Sequence, residues 1–181
     1  MSYKTIVVHC DAGAAGVSRL KYAVNLARQH EAHLIGLSVA EPIGQTPLTE
    51  STYIVELLRQ HRERLAAQQV DLADAFARAT SGSGLRVEWR VEEGEPQQAL
   101  ATAMRYADLG VLGQFEPNGP TPDHWRAMPE SVAMASGRPI LVVPYIGAPP
   151  AAGGHMLLAW NASHQAARAA SDALPMLRAA A

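Results

Sequence analysis

The stretch Lys4 to Arg19, KTIVVHCDAGAAGVSR, decides how the rest of this chain is read. It opens on a continuous apolar run, Ile6-Val7-Val8, and such a run suits a strand buried on both faces, as in a parallel sheet. A small polar loop, CDAGAAG, follows and carries one acidic group among small residues where the strand hands over to a helix. Open α/β sheets place ligands at that kind of junction. The same order of features returns more faintly at Gly154 to Arg168, GHMLLAWNASHQAAR, with Asn161 standing where Asp11 stands in the first copy. The chain therefore reads as one domain followed by the opening unit of another.

Composition narrows the class. A length of 181 residues suits one domain with an attachment, and an apolar share of 48% is ample for a sizeable core. The net charge of -2 gives no electrostatic reason to expect nucleic acid or an anionic membrane as partner. No run reaches the roughly 18 apolar residues of a membrane helix, and no charged-then-apolar leader opens the sequence. Cys10 is the single cysteine, so no disulfide forms within the chain. A soluble cytoplasmic protein is the expectation.

Outward from the first strand (4–9), periodicity and punctuation predict alternating elements. A helix runs from about Ser18, its expected N-cap, to His30, and strand His33–Ala40 ends at Glu41-Pro42. A loop at 43–49 leads to a long charged helix over about 50–79, which the SGSG tract at 81–84 terminates. Leu85–Val91 alternates apolar and charged residues, as an edge strand exposed on one face does. Helix Glu95–Tyr106 has Pro96 in its first turn, and strand Asp108–Gly113 follows. After a loop at 114–128 come a short helix, Pro129–Ser136, and a last strand, Pro139–Val143. Residues 147–153, GAPPAAG, form a linker by composition, leaving strand His155–Trp160 and helix Ser163–Ala181 as the second unit. The domains are thus 1–146 and 154–181, and the alternation argues for an α/β fold with helices on both faces of a parallel sheet.

At this point the chain resembles the universal stress proteins. The resemblance rests on Asp11 beyond the first strand, the strand end Ser38-Val39-Ala40-Glu41, ADLGVLG at 107–113, and ESVAMASGRPILVVP at 130–144. It covers about residues 3–145, and the linker with its second start looks like the tandem members of the family. It implies a flavodoxin-like (adenine nucleotide alpha hydrolase-like) sheet in the order 3-2-1-4-5, with a ligand crevice between strands one and four. Many members bind ATP there. The matching positions are Asp11 for the ribose and base end, Val39 against adenine, Leu112 and Gly113 near the ribose, and Ser131 at the phosphate end. Members commonly pair through the last strand, here Pro139–Val143, so a homodimer is implied.

The phosphate pattern departs from the family. Gly113 is kept, but Glu116 and Glu130 stand where glycines are expected. Those glycines let backbone N–H groups close on phosphate oxygens at a helix N-terminus. A carboxylate about 4 Å from a phosphate repels it by about 1–4 kcal/mol. Two of them offset most of a micromolar affinity, about 8 kcal/mol. The expectation is a non-catalytic stress-response protein with a degenerate site, holding ATP or AMP weakly or not at all, and serving as a structural or dimerisation half. The alternative is a nucleotide-binding member with slow ATP hydrolysis.

Other chemistry reads weaker. His9-Cys10-x-x-Gly13 resembles the start of a cysteine-phosphatase loop, but Gly16 stands where that chemistry needs an arginine to clamp phosphate. The seven histidines show no metal-ligand spacing, so no metal is expected. ELLRQHRERL at 56–65 reads as a solvated face, and Asp11 serves equally as a turn cap. Trp125, on a loop, is the aromatic placed for an interface, with Trp89 on the edge strand a weaker case. The lone second unit cannot bury both faces of MLLAW, so it is expected to dock on a surface of its own or a second chain and to promote a dimer.

Overall fold

The computed structural model describes residues 2–41, 52–117, 119, 125–148 and 154–180. Five parallel strands form one sheet in the order β3-β2-β1-β4-β5: β1 (Thr5–His9), β2 (His33–Ala40), β3 (Val87–Glu93), β4 (Leu109–Gly113) and β5 (Ile140–Val143). The class and the strand order are those expected. Val8 pairs with Gly36 of β2 on one side and with Val111 of β4 on the other, so β1 is central. Ile6, Val7 and Val8 are each at most 1% exposed, which explains the unbroken apolar run.

Successive residues of β1 face opposite layers. Ile6, Val8 and Cys10 join Leu20, Ala23 and Val24 of α1 (Ala14–His30) and Phe76 of α2 (Thr52–Thr80). Val7 joins Leu100 and Met104 of α3 (Pro96–Met104) and Val132 of α4 (Met128–Ser136). One core lies on each face of the sheet, and both end at the carboxyl edge of β1 and β4. The expected loop at 43–49, the first residues of the long helix at 50–51, and most of the linker (149–153) lie outside the described residues.

Several boundaries differ from expectation for physical reasons. Helix α1 starts four residues before Ser18, because Gly13, with φ 100, takes the N-cap in a conformation that glycine adopts without strain. Ser18 Oγ instead accepts the backbone N–H of Ala148 at 3.0 Å. Strand β3 is displaced two residues towards its C-terminus, though it is an edge strand as expected. Glu95 caps α3, its carboxylate accepting from Gln97 N at 3.0 Å and Gln98 N at 2.7 Å. Asp108 lies just outside β4, where its carboxylate accepts from Lys4 N at 2.7 Å and Thr5 N at 3.0 Å and ties the start of β1 to β4.

The second unit is corrected most. His155–Trp160 joins no ladder, and Leu157 and Trp160 are 97% and 58% exposed. Its pattern copies a central strand, which needs a neighbour on each side, and a lone unit supplies neither. The single helix expected over 163–181 is two: α5 (His164–Asp172) and α6 (Leu174–Ala179), with Pro175 in the first turn of α6, where a missing N–H is tolerated. These helices dock on their own domain. Tyr3 Oη donates to the Asp172 carbonyl at 2.8 Å, and Met176 packs against the core on the α1 side.

The α2 face of the sheet is packed tightly enough to test. A Cβ at Gly36 would stand 2.6 Å from the Phe76 ring and 2.9 Å from the Trp89 ring. Gly36→Val is expected to lower stability by about 1–3 kcal/mol in urea unfolding. An unchanged midpoint would contradict this packing.

Candidate functional site

The strand order reverses between β1 and β4, and the chain leaves β1 there as His9-Cys10-Asp11. The backbone N–H of Cys10 donates to the Leu37 carbonyl at 2.8 Å, carrying the end of β1 along β2. The loop then folds down on the first turn of α1. A Cβ at Gly16 would overlap the carbonyl and carboxylate of Asp11, so only glycine lets the loop lie so close.

Arg19 lies on the buried face of α1, one turn before Ala23, and is 2% exposed. Its Nε donates to the His9 carbonyl at 2.8 Å, and its Nη2 donates to Asp11 Oδ1. Nη1 rests against Gly113 at the end of β4, where any Cβ would collide with it. A buried guanidinium is costly unless a carboxylate compensates it, and Asp11 does so. One side chain thereby ties β1, the following loop and β4 together.

His9 is 4% exposed, with its ring 5.4 Å from that of Trp125 and its Nδ1 3.9 Å from Asp11 Oδ2. Burial pushes the His9 pKa down to about 4; Asp11 opposes that shift and Arg19 adds to it, so the ring is neutral near pH 7. Burial likewise pushes the Cys10 thiol up to about 12. A thiol held protonated, with Gly16 in place of a phosphate-clamping arginine, is not a phosphatase nucleophile.

The residues singled out in the sequence converge in part. Leu112, 1% exposed, and half-buried Val39 pack in the core on the α3 and α4 side, with Trp125 beside them. Gly113 lies under Arg19. Leu112, Gly113 and Trp125, together with His9, Asp11 and Arg19, line a cavity of only about 30 Å³, smaller than a nucleotide needs, and Val39 is not part of it. On the α1 side, Asp11, Gly13 and Gly16 of the same loop line a second cavity of about 410 Å³ with Leu72 and Ala75 of α2. Ser131 is half-buried on α4, whereas Glu130 is exposed in its first turn, where the helix N-terminus favours a negative charge. Glu116 folds back on Gly119, at which a Cβ would stand 2.8 Å from its Oε2.

Three residues of the site were not singled out as such in the sequence: Arg19, His9 and the inward role of Trp125. Trp125 is half-buried with its ring against His9, since the imidazole gives a large ring a partner inside the fold. Trp89 likewise packs on Phe76, with ring centroids 5.5 Å apart. The available signal was Arg19 itself, a charge on the helical stripe that carries Leu20, Ala23 and Val24. Among the described residues, no group of three or more His, Cys, Asp or Glu is placed to hold a metal, and no helix is long and apolar enough to cross a membrane.

A parallel 3-2-1-4-5 sheet with its crevice at the reversal point defines a flavodoxin-like, adenine nucleotide alpha hydrolase-like fold. The sequence pattern of the Universal stress protein family matches residues 2–144, and the chain belongs to that family. Universal stress protein UspA from Lactobacillus plantarum is 21% identical over 78% of this chain and 98% of its own, with a TM-score of 0.61. A universal stress protein from Archaeoglobus fulgidus in complex with dAMP is 16% identical over 78% and 98%, with a TM-score of 0.51. One from Arabidopsis thaliana with AMP bound is 15% identical over 78% and 91%, also with a TM-score of 0.51. No curated protein matches this chain.

The neutral His9 makes stability depend on pH. Its folded pKa, about 4, lies below the ordinary value of 6.5, so the unfolded chain binds the extra proton first as pH falls. Stability is therefore lost between about pH 6.5 and pH 4, by about 3 kcal/mol in all. In urea unfolding, His9→Asn should lose about 2 kcal/mol less than the parent between about pH 7 and pH 4.5. Equal losses would show that the imidazole takes up its proton as readily in the fold as in the unfolded chain.

Proposed function

We propose that this chain is a non-catalytic universal stress protein of the cytoplasm whose nucleotide crevice is degenerate, and that it serves as a structural or dimerisation half. The observation that carries the reading is the position of Arg19. Its guanidinium rests on Gly113 and is bound to Asp11, two of the groups a nucleotide would need. For a nucleotide to enter, Arg19 must leave a buried ion pair and Trp125 must leave the His9 ring. Glu130 already supplies the negative charge that a phosphate would bring to the start of α4. The pairing surface is the open edge of β5, where Val142 is 43% exposed and continues into Tyr145 and Ile146, 38% and 84% exposed. Residues 154–180 carry further exposed apolar groups beside this domain and read as the opening of a second, tandem one.

A second reading is favoured by the relatives of the same fold solved with dAMP, AMP and, in another case, cAMP. In it Arg19 swings off Gly113 to meet a phosphate, and slow ATP hydrolysis becomes an open activity. Calorimetric titration with Mg-ATP separates the two. A closed crevice predicts heats too weak for anything tighter than a high-micromolar constant, and a low-micromolar constant would establish the second reading.

A further inference from the structure

Strand β3 ends the sheet, and among the described residues only β2 pairs with it. The Arg86 carbonyl accepts from Leu34 N at 3.0 Å, and Gly94 N donates to the Ala40 carbonyl at 3.2 Å, so the even-numbered residues turn their backbone groups to β2. The odd-numbered ones, Val87, Trp89 and Val91, then turn theirs to the open edge, where they form a template for another strand. Side chains sort by the same parity. Trp89 packs on Phe76 in the core beneath α2, and exposed Val87 and Val91 flank it on that face. Arg86, Glu88, Arg90 and Glu92 share the other face, where Arg90 Nε donates to Glu88 Oε1 at 2.6 Å. The stretch 86–92 therefore reads RVEWRVE, with its charges alternating in sign about Trp89.

Charges on an edge strand ordinarily keep other copies away. Here, turned end for end, the stretch is its own complement. With two copies antiparallel about a two-fold axis at Trp89, Arg86 stands opposite Glu92, Glu88 opposite Arg90, and Val87 opposite Val91. The odd-numbered positions fall on hydrogen-bonded pairs, as their outward backbone groups require. The charged positions fall on the other pairs, where side chains approach most closely. Moving the axis to Glu88 sets Arg86 against Arg90, and moving it to Arg90 sets Glu88 against Glu92. Like charges directly opposite each other destabilise a pair, so the register about Trp89 is the one favoured.

We propose that β3 is a pairing edge for a second copy of this chain, whose own β3 adds antiparallel and centred on Trp89. The contact lies at the opposite end of the sheet from β5, so it neither needs nor excludes pairing there. Sedimentation velocity of the full chain at low salt isolates it when Val142→Lys places a charge on the β5 edge. That variant should still self-associate, and less so as salt is raised. Adding Arg90→Glu, or separately Glu88→Arg, sets like charges opposite each other and should weaken self-association about tenfold in each case. An equimolar mixture of those two proteins should regain it to within about threefold, because every charged pair is again between opposite signs. The bond between residues 88 and 90 within one strand is missing from both, so a gain on mixing reports contact between copies. No gain on mixing overturns the assignment. A Val142→Lys variant that stays monomeric at about 1 mM while the parent associates overturns it too, and leaves the β5 reading standing. A monomeric parent overturns both.

Discussion

A guanidinium buried at the reversal point of a parallel sheet has to find its compensation inside the protein, and Arg19 finds it in three elements at once. Its Nε holds the last carbonyl of β1, its Nη2 holds Asp11 in the following loop, and its third nitrogen lies on Gly113 of β4. Each contact fixes a neighbour. Asp11 can reach Arg19 because Gly16 leaves room for the loop, and the N-cap at Gly13 starts α1 early enough to present residue 19 at the right height. The crevice that this topology creates is thus spanned by a side chain of the fold.

The same contact changes what the small residues mean. Gly113 belongs to a pattern whose glycines serve nucleotide binding in the family, yet in this chain the space that its missing side chain leaves is taken by Arg19. His9 and Trp125 complete the filling from the α4 side, and the low affinity of the buried imidazole for a proton keeps a second positive charge away from the guanidinium. Glu130 takes up the favourable potential at the start of α4. In the proposed degenerate site, cation, aromatic and carboxylate each stand in for part of a ligand.

Much of the fold was legible because burial leaves a plain trace. The run Ile6-Val7-Val8 declares a central strand, the alternation at Leu85–Val91 declares an edge, and Pro96, Gly137 and Pro139 mark element ends. The strand expected at His155–Trp160 fails for the same reason, since MLLAW has the composition of a central strand but no neighbours to pair with. In the site, Asp11 could be placed from its position after the first strand, and Leu112 and Gly113, at the end of the fourth, from the family resemblance. What the sequence could not supply was the partner of Asp11, because an ion pair across eight residues depends on where a helix begins, and that was set by Gly13 rather than Ser18. Nor does spacing reveal that a loop tryptophan turns inward to an imidazole on β1.

The proposed closed crevice has one direct consequence in solution. Native mass spectrometry of the purified chain, under gentle and then denaturing conditions, should give a mass equal to the polypeptide alone or to a whole multiple of it, with nothing lost on denaturation. An added mass of one adenine nucleotide per chain, released on denaturation, would contradict the closed crevice and put Arg19 among the ligands of a phosphate.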